Sequence, residues 1–162
     1  MFTTRDLRRS CIVVAELLFC PLPLDKNHRL RNHPPMSERR PEDLTILVVE
    51  DYEDTSLAMR LALERKGYHI LEASDGAQAV EVAGRERPDV ILMDLNLPVL
   101  DGFAAAERVR SNPDLRETVI VAVTAHQDPD LRTRAVSAGC NAFVTKPLDF
   151  EWLGDLISNL LP

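Results

Sequence analysis

The stretch VILMDLNLPVLDG, residues 90–102, shows most clearly how this chain folds. Its first six residues, 90–95, form a nearly continuous apolar run, which is typical of a strand buried on both faces of a sheet. Residues 102–111 then repeat apolar side chains at helical spacing, with Phe103, Ala106 and Val109 on one face. The stretch therefore predicts a buried strand that is followed by an amphipathic helix.

The same alternation of apolar runs and amphipathic segments continues on both sides of this stretch. The predicted strands are residues 45–49, 69–73, 90–95, 119–123 and 142–144, and the predicted helices are residues 54–66, 75–85, 102–111, 129–138 and 148–161. Five such units predict an α/β fold with a doubly wound parallel sheet, right-handed crossovers and helices on both faces. In such a sheet the binding site lies beyond the carboxyl ends of the strands.

Composition and charge exclude several classes of protein. The chain has 162 residues, enough for one domain, of which 45% are apolar and 28% charged, a globular profile. The net charge of −7 argues against a general nucleic-acid binder. No apolar run approaches the roughly 18 residues that a membrane span needs. Three cysteines are too few for a disulfide scaffold, which favours a reducing, cytoplasmic environment.

The composition changes near Leu44, which divides the chain into two segments. Residues 1–43 contain eight Lys or Arg and six Asp or Glu, a net charge of +2, whereas residues 44–162 contain eleven and twenty, a net charge of −9. All six glycines lie in the second segment. We interpret residues 44–162 as the folded domain and residues 1–43 as an N-terminal extension, either disordered or the product of a start codon assigned too early.

The extension leaves other interpretations open. Basic residues followed by the apolar run 11–24 are similar to a secretory signal, but Glu16 interrupts the run and no small-residue cleavage site follows. Met36 is an alternative start of the chain. A metal site built from Cys11, Cys20, His28 and His33 is disfavoured, because the eight residues between the two cysteines do not match the usual ligand spacing.

Charged and polar residues follow four of the predicted strands. They are Glu50, Asp51, Asp94, Thr124 and Lys146. Because the carboxyl ends of parallel strands share one edge of the sheet, we expect these side chains to meet there. Clustered carboxylates repel one another unless a cation intervenes, and a hard divalent ion with oxygen ligands, such as Mg²⁺, suits such a cluster.

Four motifs in order make the chain similar to a known family. They are ILVVEDYED (46–54), LMDLNLPVLDG (92–102), VAVTAH (121–126) and FVTKPL (143–148). Together they resemble the receiver domain of two-component response regulators, in particular the chemotaxis-type, single-domain members. The resemblance implies a flavodoxin-like sheet of order 2-1-3-4-5 with five helices.

The resemblance also implies a role for each matching residue. Asp94 matches the phosphoacceptor. Asp51 would bind Mg²⁺ directly, Glu50 would act mainly through water, and the backbone carbonyl of Asn96 would complete the metal site. The Asn96 side chain would tune the lifetime of the phosphoryl group.

Three further residues match the family's switch machinery. Lys146 would pair with the phosphoryl oxygens, in a Lys146–Pro147 unit that is often cis in the family. Thr124 would turn inward to bond the phosphoryl group, and its movement would be coupled to the aromatic Phe143. Many relatives carry tyrosine at this position, and phenylalanine cannot donate a hydrogen bond, so any switch must act through packing. His126 and Trp152 have ordinary surface or packing interpretations that the sequence does not decide against.

The family resemblance implies partners as well. The phosphoryl donor would be a sensor histidine kinase or a histidine phosphotransfer protein. Because nothing follows Pro162, output is expected through protein contact at the surface formed by the fourth helix, the fifth strand and the fifth helix. We expect no nucleic-acid or membrane partner, a monomer or weak dimer, and no enzymatic activity beyond the chain's own phosphorylation and dephosphorylation.

Three alternative functions remain at this point. An adaptor that keeps the fold without phosphorylation is disfavoured by the complete set of acids, threonine and lysine. A phosphohydrolase of the haloacid-dehalogenase type would need a second acid at the position of Asn96. A flavodoxin-like nucleotide binder would need a Ser/Thr/Gly-rich phosphate loop after the first strand, where EDYED (50–54) stands instead.

Overall fold

A computed structural model describes residues 40–161 of the chain. The five strands are β1 (Thr45–Val49), β2 (His69–Ala73), β3 (Val90–Asp94), β4 (Val119–Thr124) and β5 (Ala142–Thr145). All pairings are parallel and the strand order is β2-β1-β3-β4-β5, so the expected flavodoxin-like fold is confirmed. The order reverses direction between β1 and β3, which opens a crevice at their carboxyl ends.

Five helices connect or follow the strands, as predicted. They are α1 (Glu53–Glu64), α2 (Gly76–Glu86), α3 (Gly102–Ser111), α4 (Pro129–Ser137) and α5 (Phe150–Leu160), and two 3₁₀ turns lie at Pro41–Asp43 and Pro113–Leu115. Several predicted helix ends differ from the structure by one residue, and two differ by two residues. α1 stops two residues early because the chain tightens into a turn that leads to Gly67, which has a positive φ of 97°. α5 starts at Phe150 because the Asp149 side chain caps it.

The sheet separates two apolar layers. β-strand side chains of one parity pack against α1 and α5, around Met59, Leu63 and Leu153. The other parity packs against α2, α3 and α4, around Ala79, Ala106 and Ala135. The central strands β1, β3 and β4 are almost fully buried, as their continuous apolar sequences indicate. The core therefore holds the strand ends, and with them the polar residues that follow, in fixed register.

Two leucines with helical spacing in α1 lie on its exposed face. Leu57 and Leu61 have helical spacing, but both are exposed, at 44% and 48%. Ser56, Met59 and Leu63 form the buried face instead. Leucine spacing thus predicts the helix correctly but does not identify its buried side.

Arg110, at the end of α3, joins several segments on the side of the sheet occupied by α3 and α4. Its guanidinium donates to the backbone carbonyls of Gly139 (2.8 Å) and Thr118 (2.7 Å) and to the Asn141 side chain (2.5 Å). Asn141 Oδ1 also accepts from the Ile120 backbone N–H. Burial lowers the pKa of Arg110, and the arginine connects α3 to the segment between α4 and β5.

The interpretations of the extension fall on residues outside the described range. They comprise the signal-like run 11–24, the alternative start at Met36 and the spacing of Cys11, Cys20, His28 and His33. Within residues 40–161, none of the helices has the length and apolar character to cross a bilayer.

Candidate functional site

Three carboxylates meet at the carboxyl edge of the sheet. Glu50 and Asp51 directly follow β1, and Asp94 is the last residue of β3, the neighbouring strand. Glu50 and Asp94 are buried, at 5% and 7% exposure, whereas Asp51 is exposed. One oxygen from each lies within 4.8 Å of the others, so the group could hold a metal ion. Hard oxygen ligands at this spacing fit a divalent cation such as Mg²⁺.

Lys146 lies between the two buried carboxylates. It follows β5, its peptide bond to Pro147 is cis, and its Nζ donates to Glu50 Oε2 (2.6 Å) and to Asp94 Oδ2 (2.5 Å). One ammonium thus partly compensates two buried negative charges, which would otherwise be costly to keep ionised. The structure brings Glu50, Asp94 and Lys146 into direct contact from three different strands.

The ionisation of these groups depends on burial and on their mutual contacts. Burial raises the pKa of Glu50; the hydrogen bond from Lys146 opposes this rise, and the charges of Asp94 and Asp51 add to it. For Lys146, burial lowers the pKa, but its hydrogen bonds to Asp94 and Glu50 outweigh burial and the net change is upward. The site therefore keeps its lysine charged and makes Glu50 easier to protonate than an ordinary glutamate.

Asn96 orients the Asp94 carboxylate from the loop after β3. Its backbone N–H donates to Asp94 Oδ1 (2.8 Å), so each oxygen of Asp94 has a hydrogen-bond partner. The Asn96 side chain is exposed, and its Nδ2 lies 3.4 Å from Nδ1 of His126. This pair spans the opening of the site between two loops, a relationship that the sequence did not reveal.

Thr124 ends β4 and is fully buried. Its hydroxyl oxygen accepts a hydrogen bond from the backbone N–H of His126 (3.2 Å). Ala125 and His126 are exposed at the entrance of the site.

Phe143 lies on β5, three residues before Lys146, and is half-buried. The guanidinium of Arg132, on α4, lies over its ring with the Cζ atom 5.8 Å from the ring centre. Sequence reasoning singled out Phe143 but not Arg132, because the contact depends on how α4 is placed against the sheet.

A groove of about 330 Å³ adjoins the carboxylates, between α1 and the carboxyl end of β2. Its lining includes Glu50, Asp51, Ser56, Glu72 and Gln78. The Ser56 hydroxyl donates to Glu72 Oε1 (2.7 Å), so part of the acidic wall is already paired. Glu50 and Asp51, but not Asp94, thus line this groove on the side of α1.

Comparison with known proteins identifies the family. Residues 46–158 match the response regulator receiver domain family. This chain belongs to that family. It is therefore a receiver-domain protein of the kind found in two-component systems.

Individual relatives agree with this assignment. The polar-differentiation response regulator DivK of Brucella anthropi is 32% identical over 117 residues, which are 72% of this chain and 95% of DivK. The response regulator PleD of Caulobacter vibrioides is 34% identical over 104 residues, 64% of this chain. The match covers only 23% of PleD, so this chain spans less than a quarter of that relative.

A solved structure resembles the fold. The receiver domain of sensor histidine kinase PA1611 from Pseudomonas aeruginosa, with a magnesium ion coordinated in its active site cleft, has a TM-score of 0.69. It is 35% identical, and the match covers 73% of this chain and 97% of that domain. The carboxylate cluster of Glu50, Asp51 and Asp94 lies at the edge of the sheet where such a cleft forms.

Proposed function

We propose that Asp94 accepts a phosphoryl group from a phosphohistidine on a sensor histidine kinase or a histidine phosphotransfer protein. The observation that carries this proposal is the environment of the Asp94 carboxylate. It is buried at the end of β3, with Lys146 on one oxygen and the Asn96 N–H on the other. An orientation fixed from two sides, beside a cation, is what a carboxylate nucleophile requires.

The transfer conserves the phosphoryl group and leaves an acyl phosphate on Asp94. An oxygen of Asp94 attacks phosphorus, the bond between phosphorus and the donor's imidazole nitrogen breaks, and the electron pair stays on that nitrogen. Lys146 then moves its contact from Asp94 Oδ2 to the phosphoryl oxygens. Thr124, whose hydroxyl now accepts from His126, turns to donate to the same group.

A divalent metal belongs to this proposal. Asp51, Asp94 and the backbone carbonyl of Asn96 would hold Mg²⁺, with Glu50 acting mainly through water. When bound, Mg²⁺ neutralises negative charge on the transferring phosphoryl group. Lys146 would add a second positive charge beside the ion, because it is the ammonium that Glu50 and Asp94 share.

The output of the switch is proposed to be a protein contact in the cytoplasm. A phosphoryl group adds a charge of roughly −2 and three acceptor oxygens at the strand ends. This change would alter the surface of α4, β5 and α5, which includes Trp152, 37% exposed on α5. A downstream protein would read that surface, with the receiver acting as a monomer or weak dimer and without nucleic acid or membrane.

Intact-protein mass spectrometry with acetyl phosphate tests the phosphoacceptor. Wild type, Asp94→Asn and Glu107→Gln are incubated with and without Mg²⁺; Glu107, an exposed carboxylate on α3, is the matched control. One added phosphoryl group on wild type and on Glu107→Gln, only with Mg²⁺, supports the proposal. An adduct on Asp94→Asn, or an equal adduct in EDTA, contradicts it.

Beryllofluoride provides an independent test that needs no phosphodonor. Its binding is followed by Trp152 fluorescence and by amide hydrogen exchange. If neither acetyl phosphate nor beryllofluoride changes the wild-type protein, the adaptor function is the better explanation.

A further inference from the structure

Helix α4 has little apolar anchoring. Of its nine residues only Ala135 is fully buried, Leu131 is half-buried, and Val136 is 39% exposed. α5, in contrast, buries Leu153, Leu156 and Ile157. Other contacts must therefore contribute to the position of α4.

Two arginine–aromatic contacts provide this support. Arg134 lies over the ring of Phe103 on α3, with 4.1 Å between the Cζ atom and the ring centre, and Arg132 lies over the ring of Phe143 on β5 at 5.8 Å. Both distances fall within the range of a cation–π attraction. The two arginines, two positions apart, attach α4 to two different neighbours.

The two aromatic rings differ in how firmly they are held. Phe103 is 9% exposed and belongs to the main apolar layer. Phe143 is only half-buried, and beside it lies a cavity of about 10 Å³, room for a single water, that α4 and β5 line together. Phe143 is also three residues from Lys146 in the same strand segment. Of the two rings, Phe143 has the freedom and the position to respond to the site.

We propose that Arg132 is a positioning residue that couples Phe143 to α4. Its guanidinium holds the ring in the half-buried position of this structure and so stabilises the unphosphorylated arrangement. When Asp94 is phosphorylated, the Phe143 ring withdraws from Arg132 and α4 loses one of its two arginine–aromatic contacts. Arg134 and Phe103 keep the helix on α3 in both states. This inference rests on the phosphorylation of Asp94 proposed above.

The proposal has a direct thermodynamic consequence. A contact made in only one of two states biases the equilibrium toward that state. Removing Arg132 should therefore shift the unphosphorylated protein toward the active arrangement. Removing Arg134 should loosen α4 equally in both states and leave the equilibrium unchanged.

Hydrogen exchange of α4 in the full chain distinguishes these cases. Wild type, Arg132→Gln and the matched control Arg134→Gln are compared with and without beryllofluoride. In Arg132→Gln we expect α4 to exchange faster than in wild type without beryllofluoride, and the further increase caused by beryllofluoride to be smaller than in wild type. In Arg134→Gln we expect faster exchange in both conditions with the beryllofluoride-induced increment preserved.

The rate of phosphorylation is a second measurement. A variant that only loses packing should not be phosphorylated faster than wild type. Arg132→Gln should accept phosphate from acetyl phosphate about two- to fivefold faster than wild type, the shift expected on losing one exposed cation–π contact. Arg132→Lys, which keeps a cation near the ring, should restore most of the wild-type rate. Phe143→Leu should reproduce the effect of Arg132→Gln, and the double variant should add nothing further.

The outcomes separate this inference from the proposed function. The coupling role is overturned if Arg132→Gln and Arg134→Gln show the same hydrogen exchange, or if Arg132→Gln is phosphorylated more slowly than wild type. The proposed function still stands in that case if beryllofluoride protects the segment around Asp94 from exchange. If beryllofluoride changes nothing in wild type, including residues 94–96 and 124–126, the proposed function fails and this inference fails with it.

Discussion

Gly102 packs against the backbone of Asp94 so closely that a Cβ atom there would lie 2.1 Å from the Asp94 carbonyl oxygen. The start of α3 is thus seated directly on the end of β3. Gly84, in the middle of α2, is different, because a Cβ atom there would have no neighbour within 4 Å. The two glycines allow the same substitution to be tested in opposite environments.

We predict opposite effects of alanine at these positions. Gly84→Ala should raise the free energy of unfolding by about 1 kcal/mol, because glycine is unfavourable inside a helix and the space is open. Gly102→Ala should lower it by roughly 1–3 kcal/mol, because backbone must move to relieve the overlap. Urea unfolding measures both. Equal effects at the two positions would contradict the close packing of Gly102 on Asp94.

A second prediction concerns the pH dependence of stability through Glu50. Its pKa is raised in the folded state, chiefly by burial, so the folded protein holds this proton more tightly than the unfolded chain does. The stability from this group is present below the unfolded value of 4.5 and is lost as pH rises through the folded pKa. As the pH rises above 4.5, Glu50→Gln should therefore gain stability relative to wild type.

Metal-free urea unfolding at several pH values measures this trend. Glu107→Gln serves as the control for loss of one carboxylate. A relative stability of Glu50→Gln that falls as pH rises would show that the contact with Lys146 outweighs burial. Adding Mg²⁺ to wild type should stabilise it more at neutral pH than at acid pH, because a protonated carboxyl group cannot ligate the ion.

A third prediction concerns the pair formed by Asn96 and His126. Because their side chains span the opening of the site, removing either should admit water to the acyl phosphate. Asn96→Ala and His126→Ala should each shorten the half-life of the phosphoryl group about two- to tenfold, the equivalent of a single hydrogen bond. The double variant should be no worse than the more severe single variant. Strictly multiplicative effects would show that the two residues act independently.

The fourth prediction concerns Val99, in the loop between Asp94 and α3. Its φ is 66°, its side chain is 86% exposed, and Leu100 N donates to Pro98 O around it (2.7 Å). A β-branched residue is strained in this region of φ, whereas asparagine tolerates it. Val99→Asn should therefore raise the free energy of unfolding by about 1 kcal/mol. Thermal unfolding measures this, and Val99→Ala, which is smaller but still strained, should gain less.

Much of the fold could be predicted because the strands are apolar runs of the right length. The bounds of β1 and β2 agree with the prediction to the residue, and those of β3 to β5 agree within one. Helix ends were less predictable, since they depend on single caps such as Asp149 before α5. The rotation of α1 was also not predictable, because Leu57 and Met59 are equally apolar in sequence and only packing decides which is buried.

The features of the site also fall into those that could be predicted from the sequence and those that could not. Glu50, Asp94 and Lys146 could be placed at one edge because parallel strands end together, whatever the loops do. The contacts of Arg132 with Phe143 and of Asn96 with His126 could not be predicted, because they join different loops, strands and helices through side chains. Such contacts depend on loop conformation and helix rotation, which the spacing of residue types does not encode.

The hydrogen bonds of Arg110 have a mechanical consequence for α4. They secure the segment that leaves α4, through Gly139 and Asn141, to the body of the domain. The opposite end of the helix, at Pro129, follows β4 and Thr124 in the chain. A helix of nine residues is about 13 Å long, so a tilt of about 10° around this carboxyl end would displace Pro129 by about 2 Å. Such a tilt would move most the end of α4 that follows β4 and Thr124, and least the end beside Arg110.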